Sequence, residues 1–214
     1  MKKFELTSET KINIFGKKLF RIKALISFGD VKAGETGGWV EKEENVNQSG
    51  NAWVYGDAMV YGDAMVSGNA WVYGDAMVSG NAWVYGDAMV YGDAMVSGNA
   101  MVSGNAKVYG DAWVFGNAWV SGNAKVYGDA WVYGDAKVSG DADYATIHGF
   151  GTQFRTTTFF RCKDKKVRVA CGCFFGTIPE FREQVKDTRK GKIAEEYLVI
   201  SDLMEKHFEV KSNE

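Results

Sequence analysis

KVYGDAWVFGNAWVSGNA, residues 107–124, repeats one six-residue phrase: glycine, aspartate or asparagine, alanine, a variable residue, valine, then tyrosine, serine or phenylalanine. The phrase runs from Gly50 to Gly140, where sixteen glycines keep a spacing of six. A helix would want apolar residues near every 3.6 positions and would lose about 1 kcal/mol at each glycine relative to alanine. Helix is excluded. Read at period two, Ala-x-Val is a short strand with alanine and valine on one face and x on the other. Lys107, Lys125 and Lys137 occupy x, and an unpaired ammonium is too costly for an apolar core, so x points outward. Glycine with its Asp or Asn forms the corner, where a positive φ is tolerated. Strand and corner alternate every six residues, which predicts a three-sided parallel solenoid closing after eighteen.

Aligned at eighteen, Tyr55, Tyr73, Tyr91, Tyr109 and Tyr127 form one column, and Asp57, Asp75, Asp93, Asp111 and Asp129 another. Duplication of an 18-residue unit and a selected ladder would both produce these columns, and both imply the same coil. With paired strands about 4.8 Å apart, the valine-centred hexads make about five coils.

The unit resembles the hexapeptide repeat of left-handed parallel β-helix proteins, the architecture of many bacterial acyltransferases. The left hand is what that resemblance implies. FRIKALISFGDVKAGETGGWVEKEENVNQSGNAWVYGDA (20–58) is similar to the entry segment of YdcK-like hexapeptide-repeat proteins, often carried by phages and prophages, most specifically in GGWVEKEEN.

A solenoid exposes unpaired backbone at both ends, and the flanks read as covers. Residues 11–26 alternate apolar and polar about a Gly-Lys-Lys turn, a hairpin pattern. Gly37, Gly38, Trp39, Val40 and Val46 read as degenerate hexads. Residues 154–171 read as two strands about Lys163–Lys166. Thr177 to Glu180 has capping-box spacing with Pro179 in the first turn, and Ile193, Tyr197, Ile200, Leu203, Met204 and Phe208 mark a second amphipathic helix. The expected fold is therefore an all-β solenoid over residues 48–143, an N-terminal β cap (1–47), and a small C-terminal α+β domain of ββαα order (144–214).

Composition agrees with an ordered chain. Aromatics make up 14% of the 214 residues and there is one proline, so the glycines punctuate a fold. The net charge of −2 excludes a histone-like binder, and ten aspartates against three lysines in 51–143 make nucleic acid an unfavourable partner for the shaft. Three cysteines in no regular framework, and a start, MKKFELTSETKINIFG, without an apolar core, lead to the expectation of a cytoplasmic protein with no membrane segment.

Candidate sites follow from what points outward. Resemblance to hexapeptide acyltransferases implies a coil histidine as general base, yet the array has none, and His148 just beyond it is the only candidate. The three-histidine zinc site of solenoid carbonic anhydrases cannot be assembled in the array, and neither metal nor cofactor is expected. The aspartate column would either hold cations or hydrogen-bond its own corners as Asn does, and the second is preferred. Among the x positions one face, Met59, Met77, Met95, Trp113 and Trp131, contains no lysine. An apolar row of that kind marks an interface, expected here in a homo-oligomer, with a trimer favoured; the alternative is that terminal segments cover it. Arg155, Thr156, Thr157, Arg161, Lys165, Lys166 and Arg168 form a basic hairpin, either solvated or contacting a phosphate-bearing ligand or a host protein. Cys162, Cys171 and Cys173 lack metal-pair spacing and read as ordinary strand cysteines.

The leading expectation is a noncatalytic oligomeric scaffold, of phage type by resemblance, displaying its C-terminal domain. The alternatives are an acyltransferase using His148 and a counter-defence protein binding a host protein or nucleotide signal.

Overall fold

The computed structural model describes residues 2–209; Met1 and residues 210–214 of the expected C-terminal domain lie outside that range. Fifteen two-residue strands, β4 (Trp53–Val54) through β18 (Lys137–Val138), occur one per hexad. Each pairs in parallel with strands eighteen positions away, as Met89 does with Trp71 and Lys107. Three parallel sheets result, with the array alanines and valines buried in the interior. β3 (Thr36–Val40) and Val46 open the stack by pairing Trp39 with Met59 and Val46 with Val66, so the solenoid has about six turns of eighteen residues. The corners explain the invariant glycine. At Gly98 φ is +68°, and a Cβ there would lie 3.0 Å from the nitrogen of Gly116 in the next turn.

The corner side chains do not fold back on their own turn as expected. Asparagine bonds across turns: Asn81 donates to Asn99 and Asn99 to Asn117, each at 3.1 Å, and Asn51 to Asn69 and Asn69 to Asp87 at 3.0 Å. An amide carries both donor and acceptor, so it chains along the stack, whereas the all-aspartate column has no donor to do so. The tyrosine column does form a ladder. Tyr73, Tyr91 and Tyr109 stack at 4.7 and 4.8 Å with nearly parallel rings, and Tyr127 continues the stack.

Backbone polarity dictates the two caps. Each strand N–H donates toward the following turn, as Trp71 does to Ala88 at 2.9 Å. Unpaired carbonyls therefore collect at the first turn and unpaired N–H groups at the last. Each would cost about 1–3 kcal/mol if buried without a partner. The N-terminal segment brings donors: Lys3 Nζ to Ala52 O, Arg21 Nη1 to Gly56 O, and Asn45 Nδ2 to Gly62 O and Ala64 O. The C-terminal side brings acceptors: Asp141 for Lys125 N, Thr158 Oγ1 for Trp131 N, and Asp143 for Ser139 N and Gly140 N.

The N-terminal hairpin, β1 (Phe4–Ile12) and β2 (Lys18–Ala24), is antiparallel and extends the edge of β3. Its first strand starts earlier than the alternation suggested. Phe4 and Phe28 pack edge-on against Trp53. Trp53 points off the shaft as expected of an x residue but is fully buried beneath this cap.

The C-terminal domain has four strands where two were expected: β19 (Tyr144–Phe150), β20 (Arg155–Arg161), β21 (Val167–Cys171) and β22 (Phe174–Thr177), in an antiparallel meander. β22 has only four residues and β19 carries mixed polarity, so neither shows a clear period-two pattern. One sheet face, with Phe160 and Cys162, joins the solenoid core; the other, with Phe159 and Val169, meets helices α1 (Ile178–Thr188) and α2 (Lys192–Glu209). Thr177 and Glu180 close the capping box at the start of α1. In α2, Tyr197, Ile200, Met204 and Phe208 are buried, while Leu203 is exposed. Among the described residues no helix is long and apolar enough to cross a membrane.

Candidate functional site

The lysine-free face forms one continuous sheet with the N-terminal hairpin. Met59, at its start, packs with Leu19, Trp39 and Tyr61. Met77 and Met95 are half-buried along the shaft. Trp113 and Trp131 stack at 5.2 Å with planes 5° apart and are 38% and 39% exposed, so each presents a flat edge of indole to solvent.

Below Trp131 this face runs into the C-terminal domain, and a groove opens there. Strand alternation in β20 arranges it: Thr156 and Thr158 face the last coil, while Thr157 and Phe159 face the helices. Its outer chamber, about 620 Å³, is walled by Trp131, Phe154, His148 and Thr156. His148 Nδ1 lies 3.0 Å from Thr156 Oγ1, and Thr156 Oγ1 donates to Asp129 Oδ2 at 3.4 Å. His148, Thr156 and Asp129 thus form one hydrogen-bonded chain at the mouth of the groove. Phe154 is held at φ 50°, a strained conformation for a bulky residue, and the residue is 66% exposed.

An inner chamber of about 370 Å³ adjoins the outer one and shares Gln153, Arg155, Gly172 and Cys173 with it. Its depth is set by the Tyr197 hydroxyl, which donates to the Phe150 carbonyl at 3.3 Å, and by Cys171, which accepts from Thr157 at 3.1 Å. Burial pushes the Tyr197 hydroxyl above the ordinary phenol range, with Cys171 adding to the shift. Arg189, Gln184 and Thr188 from the end of α1 complete the rim.

The predicted basic hairpin does not form one patch. Arg155 and Thr156 reach the groove and Thr157 is buried. Arg161, at the other end of the strand, pairs with Asp143, donates to the Phe208 carbonyl and stacks on the Phe208 ring. Arg168 pairs with Asp164 at 2.7 Å, and Lys165 and Lys166 stand exposed at the turn. The reason is length: a seven-residue strand separates its ends by roughly 20 Å. Phe154, Gln184, Thr188 and Arg189 had no sequence pattern to reveal them, because the groove joins a loop, a turn and a helix end distant in the chain.

Three overlapping segments, residues 52–68, 58–74 and 70–86, match the model of the YdcK β-solenoid repeat. Each spans about one turn of the shaft. The shaft carries YdcK-like β-solenoid repeats over residues 52–86. Among curated proteins no match is found.

The corner aspartates of this YdcK-like shaft, Asp57, Asp75, Asp93, Asp111 and Asp129, are all exposed. Among the described residues no group of His, Cys, Asp and Glu has the geometry to hold a metal ion. The cysteines are free thiols at three depths: Cys162 buried, Cys171 partly buried and Cys173 exposed.

Proposed function

We propose that this YdcK-like solenoid is a noncatalytic scaffold that self-associates through its lysine-free face and presents its C-terminal domain for binding. The observation that carries this reading is the exposed, stacked pair Trp113 and Trp131, in line with Met77 and Met95 on a coil face whose outward positions carry no lysine. Burying an apolar row of this kind against a copy of itself gains hydrophobic free energy without desolvating charge. Both solenoid ends are already occupied by caps, which leaves the lateral faces for assembly. A trimer is the favoured closed form, and the likeness of residues 20–58 to segments of phage-borne proteins supports a phage or prophage setting.

Light scattering at micromolar concentration tests the reading. The expected result is a trimeric mass that falls to one chain in Trp113→Glu/Trp131→Glu with little change in melting temperature. A monomeric wild type overturns it.

A second reading rests on the chain His148, Thr156 and Asp129, which holds an imidazole at the groove wall and would serve acyl transfer. Acyl-CoA turnover lost in His148→Ala would establish it over the first.

A further inference from the structure

The groove of the C-terminal domain shows a charge pattern that points to its ligand. The sequence has six arginines, and four pair with carboxylates: Arg21 with Asp57, Arg161 with Asp143, Arg168 with Asp164, and Arg182 with Asp202 and Glu205. The remaining two, Arg155 and Arg189, have no carboxylate within ion-pair distance among the described residues, and both line the inner chamber. That chamber contains no Asp or Glu among its described lining. Besides the Tyr197 hydroxyl and the thiols of Cys171 and Cys173, its polar side chains, Thr152, Gln153, Gln184 and Thr188, are neutral hydrogen-bonding groups.

Two unpaired guanidiniums with neutral donors match a dianion with three acceptor oxygens better than a carboxylate with one charge. Gly172 permits the arrangement, since a Cβ at that position would lie 2.8 Å from Arg155 Nη1. The outer chamber differs. Trp131 and Phe154 enter it from the last coil and from the loop before β20, giving flat apolar walls suited to a planar ring. Asp129 lies on that side, so an anionic group is repelled there and directed toward the arginines.

We infer that the groove binds a small phosphate monoester with a planar aromatic body, its phosphate on Arg155 and Arg189 and its ring against Trp131 and Phe154. This deepens the reading that the C-terminal domain is the binding element and names residues, Arg189 and Phe154 above all, outside the basic hairpin.

Calorimetric titration of the full chain with adenosine 5′-monophosphate, adenosine and inorganic phosphate tests it. The expected order is monophosphate tightest, with Arg155→Ala and Arg189→Ala each weakening it tenfold or more, and Phe154→Ala weakening the monophosphate but not inorganic phosphate. Melting curves of each variant control for folding, and Arg189→Lys, which keeps the charge but loses the fork, should fall between wild type and alanine. No binding of either phosphate compound at millimolar concentration, or affinity unchanged in both arginine variants, overturns the inference. Light scattering on the same wild-type and arginine-variant samples reads the assembly state separately, so failure of the ligand site is distinguishable from failure of the scaffold reading.

Discussion

The ammonium of Lys3 donates to the carbonyl of Ala52 at 2.8 Å and lies over the Phe28 ring at 4.7 Å, although the residue is almost wholly buried. It caps the first turn with a charge in an apolar place, and burial pushes its pKa down to about 8. An unfolded lysine titrates near 10.4. Between those values the unfolded chain binds more protons than the folded one, so the Lys3 contribution is flat below pH 8 and becomes more favourable as pH rises toward 10.4. Urea unfolding at pH 7 and pH 9.5 should show this rise in wild type and not in Lys3→Met. That variant should also lose about 1–3 kcal/mol of stability at pH 9.5 through its unpaired carbonyls. Parallel pH profiles for the two proteins would refute the assignment.

Corner glycines differ in what surrounds them. Gly98 and Gly128 have φ of +68° and +63°, but a Cβ at Gly98 meets the next turn whereas Gly128 has nothing within 4 Å. Gly128→Ala should cost about 1–2 kcal/mol from backbone conformation alone. Gly98→Ala should cost roughly 1–3 kcal/mol more by overpacking the stack. Calorimetric melting of both variants isolates the stacking term, and equal losses would show that φ alone selects glycine.

In the all-aspartate column, Asp93 sits between Asp75 and Asp111 in neighbouring turns, all exposed. Asp93→Asn removes a repulsion and adds an amide able to donate along the stack, as Asn99 does. Stabilisation of about 0.2–1 kcal/mol is expected at low salt, shrinking in 0.5 M salt. A loss of stability would indicate that the carboxylates are held there by a counter-ion.

Burial pushes the Cys162 thiol up to about 11, and Cys173 is exposed. At pH 8 a disulfide reagent should modify Cys173 first and reach Cys162 only on unfolding. Mass mapping of the labelled peptides checks the order; early labelling of Cys162 would mean that the β20 end separates readily from the last coil.

The shaft was legible in the sequence because its physics is local and repeated. Glycine at every sixth position fixed the corners, and Lys107, Lys125 and Lys137 decided which face of each strand looks out. The capping box at Thr177 and the hairpin about Lys163–Lys166 were readable for the same reason: each is set by residues close in the chain. Tertiary structure alone decided the rest. It buried Trp53 under Phe4 and Phe28, turned the asparagines across turns, and placed β19 and β22 beside strands whose pattern was clearer. It also separated Arg155 from Arg161 and brought Arg155 to Arg189 and Trp131 at one groove. A repeat specifies its own cross-section, but end caps and grooves arise from residues tens of positions apart, whose meeting depends on how the chain packs as a whole.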